Sequence, residues 1–237
     1  MRAHQIIMKR TTLNRWHLGL LAAAVLTLVS CSTSRSAASA PKTLFNGKDL
    51  TGWKAMFDDP SVKPESVWWV QDGILVCKGE PLGALVTTQN YINYKLEVEY
   101  RWAPGKKPGN SGIFGRVNGP ARGLPRCLET QLHPNSAGDV LGLQGMKVTG
   151  DPARVKSIPN HAVAGDITLV GRIVGAERPQ GEWNKVEILA QGDRVTVWFN
   201  GTKVNEAHGA EIIPGPVGLQ SEGGEIHFRN VQITGMD

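Results

Sequence analysis

Apolar residues recur along most of this chain at every second position or in short β-rich runs, and no window beyond residue 43 sustains a 3.6-residue period. In Tyr94–Trp102, Leu96, Val98, Tyr100 and Trp102 alternate with Lys95, Glu97, Glu99 and Arg101, the pattern of a strand with one face buried and one wet. Comparable runs at Val67–Val70, Gly73–Cys77, Ala84–Thr87, Ser111–Val117, Cys127–Leu132, Ile167–Val174, Trp183–Ala190, Arg194–Phe199, Thr202–Glu206, Val217–Gln220 and Glu225–Ile233 predict further strands. Asn200-Gly201 predicts a hairpin, because a type I′ turn needs positive φ at both central residues. In the last strand Ile226 and Phe228 share a parity that Val231 and Ile233 break, so a β-bulge is expected around Asn230. Many short strands between glycine- and proline-bearing turns give an all-β class: two packed antiparallel sheets, a sandwich or jelly roll, with a closed barrel as the alternative.

Two segments stand outside this pattern. Residues 1–31 carry Arg2, Lys9, Arg10 and Arg15, then an apolar run from Leu18 to Val29, then Ser30-Cys31. This reads as a secretory signal, too short for a comfortable transmembrane helix. Leu28-Val29-Ser30-Cys31 looks like a bacterial lipobox, which would make Cys31 the lipid-bearing first residue of the mature chain. The expected organisation is a signal peptide over 1–30, a lipidated Cys31 with a flexible Ser/Ala-rich tether over 31–42, and one domain over 43–237. Its place would be the bacterial cell envelope, periplasmic or surface-exposed, on a membrane without spanning it. The second segment, Pro134–Asp166, reads as a long irregular stretch containing Asp139, Gln144, Met146, Lys147 and His161, expected to fold over one sheet and wall a site.

The leader also changes the charge. The whole chain is formally +5, and removing its four basic residues leaves +1. No basic face remains for nucleic acid. Of three cysteines, Cys77 and Cys127 are left for the domain; an oxidising compartment permits a disulfide between them, and neither has CxxC spacing.

Candidate chemistry concentrates on Cys127–His133, where alternation puts Glu129, Gln131 and His133 on one face: an acid, an amide and an imidazole, or equally a solvated strand. Glu129 and His133 could ligate a divalent cation, and oxygen donors of mixed type suit Ca2+ or Mg2+ better than Zn2+. Asn110 lies in the preceding turn. Gln220, Glu222, His227 and Arg229 lie close together in sequence near the C-terminus, the last two sharing a face that is either solvent or site. Trp102 and Trp183 are either a stacking platform for a sugar or core aromatics.

Six ordered motifs carry a family resemblance: Leu44–Trp53 (LFNGKDLTGW), Gly109–Phe114 (GNSGIF), Glu129-Thr130-Gln131, Gly181–Asn184 (GEWN), Asn200-Gly201, and Gly218-Leu219-Gln220 leading to Phe228-Arg229-Asn230. From about residue 43 to 234 the chain resembles the 3-keto-disaccharide hydrolase domain family. The resemblance implies a concanavalin-A-like jelly roll and action on glycosides already oxidised at sugar carbon 3. The chain departs from the family where relatives carry an aspartate and it has His133, and where a Gln-x-His reads Gln220-Ser221-Glu222. A 3-keto group acidifies the C2 proton, so a base can drive elimination of the C1 oxygen and water can add back. Glu129 is the candidate base, Gln131 its neighbour, and Arg116 either the enolate stabiliser or an exposed strand arginine. His133, Trp102, Asn110, Gln220, Glu222, His227 and Arg229 are the candidate sugar contacts. The alternatives are a glycan-binding module without chemistry on the same fold, or an envelope interaction protein. A conventional glycosidase fits poorly, since no second acid stands two or four residues from Glu129, although Glu222 could complete a pair in three dimensions.

Overall fold

A computed structural model describes residues 40–236, and within these every strand pairing is antiparallel. The signal peptide, Cys31 and most of the tether, on which the lipid and location expectations rest, lie outside the described residues. The first sheet runs β14 (Thr202–Ala207), β13 (Arg194–Phe199), β12 (Asn184–Gln191), β6 (Tyr94–Trp102), β16 (Ile226–Gly235), β4 (Ile74–Cys77), β3 (Trp68–Gln71), with β1 (Lys42–Thr43) added on β16. The second runs β10 (Val155–His161), β11 (Gly165–Val170), β9 (Val140–Leu143), β8 (Arg126–Gln131), β7 (Gly112–Asn118), β15 (Gly218–Ser221), β5 (Gly83–Thr87), β2 (Trp53–Phe57).

The main core lies between the sheets. Trp68, Leu96, Tyr100, Phe199 and Phe228 from the first sheet meet Leu85, Ile113, Leu128 and Leu219 from the second. Burying each such side chain contributes about 1.5–3 kcal/mol. The predicted alternation of β6 is observed, with every second residue buried. In the second sheet the opposite parity is buried too: Ala84, Val86, Phe114, Cys127, Leu141 and Leu143 form a separate apolar cluster on its outer face. That double burial explains why neighbouring Ile113 and Phe114 are both apolar although their side chains face opposite sides of the sheet.

Local devices follow the sequence. Asn200 and Gly201 both have positive φ, 51° and 82°, and join β13 to β14. The register of β16 shifts between Arg229 and Gln232, with Asn230 at φ 50°, where the parity break predicts a bulge. The opening LFNGKDLTGW motif is a structural turn: Asn46 Oδ1 accepts from the backbone N–H groups of Lys48 and Asp49, and the Trp53 indole donates to the Leu44 carbonyl at 2.8 Å.

Two expectations are corrected. Pro134–Asp166 is about half regular, containing β9, β10, a 3-10 turn at Pro152–Arg154 and the start of β11. Its strands escape an alternation reading because β9 is buried on both faces while β10, an edge strand, is almost wholly exposed. The stretch does wall a cavity, as expected. Cys77 and Cys127 are free and buried; Cys77 faces the core between the sheets and Cys127 the far side of the second sheet, so the two thiols are separated by that sheet.

Candidate active site

On the outer face of the second sheet, strand register lines up side chains in rows across β7, β8 and β9. Phe114, Glu129 and Leu141 are direct partners in one row; Gly112 and Gln131 are partners in the next row toward one end, Cys127 and Leu143 toward the other. Gln220 on β15 follows Gly218, the partner of Phe114, and so extends the Gly112–Gln131 row. Over these rows lies a cavity of about 330 Å3. Its polar lining is Asn110, Glu129, Gln131, His161, Gln220 and Glu222.

Glu129 sits at the floor, 3% exposed, and its Oε1 has no hydrogen-bond partner. The carboxylate leans over Gly112: a Cβ added there would stand 2.1 Å from Glu129 Oε1. Only glycine leaves room for this side chain. Both amide atoms of the wholly buried Gln220 and the Oδ1 of Asn110 are likewise unpartnered. Orphaned buried polar groups are rare because each forfeits the hydrogen bonds it had in water. Three such residues around one cavity mark it as built for a polar ligand.

Glu222 closes the same end. Asn110 Nδ2 donates to its Oε2 at 2.7 Å, while the Asn110 N–H donates to the Gly223 carbonyl at 3.0 Å and Ser111 Oγ to that of Gln220 at 2.8 Å. The loops here meet without side chains. A Cβ on Gly79 would lie 2.3 Å from the Gly224 oxygen, and one on Gly109 only 1.8 Å from that of Gly223. Burial pushes the Glu129 carboxyl well above the usual range, and the nearby charge of Glu222 adds to it. Burial also raises Glu222; the Gln220 amide, short of a hydrogen bond, and the His161 and His133 imidazoles pull the other way. The two carboxylates therefore ionise with reluctance and at each other's expense.

The expected row Glu129, Gln131, His133 is only partly realised. β8 ends at Gln131, whose Oε1 turns back to accept from the backbone N–H groups of Leu132 and His133, both at 3.0 Å. His133 lies beyond the strand end, exposed and outside the cavity lining, so the metal pair Glu129 and His133 is not brought together. Among the described residues no group of three or more His, Cys, Asp and Glu side chains is placed to hold a metal ion. The imidazole at the cavity comes instead from His161 at the end of β10.

Arg116 is not in the site. A register shift between Gly115 and Asn118 and a φ of 52° turn it inward, where its guanidinium donates to the carbonyls of Ile92, Gly192 and Glu211. Trp102 is a core residue between the sheets. His227 and Arg229 lie on β16 in the other sheet, because the chain crosses over at Gly223-Gly224. Arg101 donates to His227, whose other ring nitrogen stands 3.0 Å from Glu225. Arg229 pairs with Glu99 and, with Arg101, packs on the Trp183 ring at 4.0 and 4.6 Å, which leaves Trp183 a charge-capped aromatic. Sequence reasoning missed the apolar wall made by Leu141, Leu143, Val163 and Ile167. The stretch expected to wall a site holds Leu141, Leu143 and Val163, and Ile167 opens a predicted strand, but neither pattern assigned these residues to a face.

The sequence profile of the 3-keto-alpha-glucoside-1,2-lyase-like domain matches residues 40–234. A 3-keto-disaccharide hydrolase of Bacteroides thetaiotaomicron is 22% identical over 244 residues, spanning 82% of this chain and 78% of the relative. Among solved structures, a candidate glycosyl hydrolase of Parabacteroides distasonis ATCC 8503 superposes with a TM-score of 0.59 at 26% identity, over 83% of this chain and 94% of its own. The carbohydrate binding module CBM66 of Bacillus subtilis shares the fold, with a TM-score of 0.54 at 12% identity over 77% of this chain and 95% of its own. The sandwich is thus a jelly roll of the kind found in carbohydrate-active proteins.

Proposed function

The chain belongs to the 3-keto-alpha-glucoside-1,2-lyase-like domain family, and from that membership we propose that it cleaves glycosides oxidised at sugar carbon 3, with Glu129 as the base. The observation that carries this reading is the unpartnered Oε1 of Glu129 at the cavity floor, beside the unpartnered Gln220 amide. Glu129 takes the C2 proton and the C–H electron pair moves into the C2–C3 bond, placing negative charge on the 3-oxygen. Gln220 Nε2 is the donor for that oxygen, the role sequence reasoning gave to Arg116. As the enolate collapses, the C1–O bond breaks and the leaving oxygen takes a proton. Glu129, now protonated and next to C1 as well as C2, supplies it, while Glu222, held by Asn110, is left to bind the ring's hydroxyls. Water then adds at C1 and a proton returns to C2, which completes a net hydrolysis.

A raised carboxyl suits this work, since a base is strongest where its pKa approaches the working pH. The oxygens of Glu129, Glu222, Gln220 and Asn110 are also hard donors of the type Ca2+ and Mg2+ accept, and such an ion would stabilise the enolate; activity before and after dialysis against a chelator tests this. The protein lacking residues 1–31 should cleave a 3-keto-glucoside and leave its unoxidised parent intact. In heavy water the product should carry deuterium at C2. Glu129→Gln should lower turnover by about 10²–10⁴-fold, the usual worth of a general base. Cleavage without the label would sink the elimination route, and binding without cleavage would move the reading to a glycan-binding module.

A further inference from the structure

The cavity is divided. Toward one end of the strands lie Gln220, Gln131, Asn110 and Glu222, with Leu82 beside them; Glu129 and Leu141 share the next row, and Leu143 and Ile167 lie beyond it toward the other end, with Leu124 and Val163 completing the lining. No Phe, Tyr or Trp ring lines it. On the proposed reading the carboxylate of Glu129 stands at C2, and the bond that breaks is at the adjacent carbon. The oxidised ring and its leaving group must therefore extend to opposite sides of Glu129. The ring, with its hydroxyls and 3-oxygen, fits the polar end, where the donors and acceptors are unpartnered. Nothing but aliphatic carbon awaits the leaving group, apart from His161 at the rim.

Resting on that reading, we infer that the leaving group is apolar, an aryl or aralkyl aglycone rather than a second sugar. A second pyranose would bring several hydroxyls against Leu141, Leu143 and Ile167, and each hydroxyl buried without a partner costs about tenfold or more in affinity. An apolar aglycone gains from the same surface. The volume, about 330 Å3, is at the small end for an organic ligand, enough for one sugar with a small aglycone.

The test compares a benzyl 3-keto-glucoside with a 3-keto-disaccharide of the same anomeric configuration. Benzyl alcohol is a poorer leaving group than a sugar hydroxyl, so chemistry alone favours the disaccharide and a preference for benzyl must come from the site. kcat/KM should favour the benzyl compound by about 10²-fold. The Glu129→Gln variant, titrated calorimetrically with both unreacted ligands, should show the same preference in Kd. Val163→Thr, at a rim residue 44% exposed, and Ile167→Thr should each narrow the preference several-fold. Equal or tighter binding of the disaccharide overturns the inference whether or not cleavage occurs. Tighter binding of the benzyl ligand with no turnover of either compound by the wild type upholds the apolar subsite and removes the enzymatic reading. Binding of neither ligand removes both.

Discussion

Gly112→Ala isolates the orientation of Glu129 from everything else in the site. Gly112 does not have positive φ, so the backbone of β7 accepts alanine. What it lacks is space: the new Cβ would stand 2.1 Å from Glu129 Oε1, 2.7 Å from Cγ and 2.8 Å from Cδ. Ordinary contact begins near 3.4 Å, so the carboxylate must retreat by about 1.3 Å. Because the obstacle is the end of a flexible side chain, the fold survives and the overpacking cost should stay within about 1–3 kcal/mol. A misplacement of about 1 Å at a reacting group can cost on the order of 10²-fold in rate. Steady-state turnover of a 3-keto-glucoside should therefore fall by about that factor, while thermal unfolding shows a folded protein. In a double-mutant cycle, Gly112→Ala should cost little in the Glu129→Gln background, since the group it displaces no longer acts as a base. Wild-type turnover in Gly112→Ala, or its full cost persisting beside Glu129→Gln, would refute the assignment of Glu129.

Three further outcomes are expected. Burial holds a proton on folded Glu129 that the unfolded chain releases above its ordinary value of 4.5, so this residue lowers stability as pH rises from there to its raised folded value, by about 1.4 kcal/mol per pH unit. Glu129→Gln should therefore melt higher than wild type above pH 4.5 and match it below; a constant difference at all pH values would contradict the burial. Arg116→Met should destabilise by about 3 kcal/mol, by removing the wholly buried guanidinium and stripping three part-buried carbonyls of a charged donor, yet leave kcat/KM of the folded fraction unchanged; a selective loss of activity would return Arg116 to the site. Cys31→Ser should abolish lipid attachment in the native host, and mass spectrometry showing an unmodified mature N-terminus elsewhere would end the lipoprotein reading.

Strands β6, β12, β13 and β16 were legible because every second residue is buried, apart from the bulge in β16, and alternation records that difference. The Asn200-Gly201 hairpin and the bulge at Asn230 were legible for the same reason: each leaves a mark in local order. Glu129, Gln131, Asn110, Gln220 and Glu222 were found as a set. His133, His227, Arg229 and Arg116 were not separable from them by sequence, because what excludes them is a strand end, a crossover between sheets and a register shift. None of these alters residue type. Leu141 and Leu143 could not be assigned to the cavity face because β9, buried on both faces, shows no alternation.

The glycine junction beneath Glu222 limits how this protein can diversify. No side chain fits at Gly79 or Gly109 without striking the backbone of Gly223 or Gly224, so the loops that fix Asn110 and Glu222 cannot be re-specified residue by residue. The opposite rim belongs to an edge strand, where β10 and the Ala162-Val163 turn are exposed and accept substitution. A laboratory library, or a lineage drifting toward a new substrate, would find its viable variants there. The half that does the chemistry would stay fixed, while the half that meets the departing group is free to change.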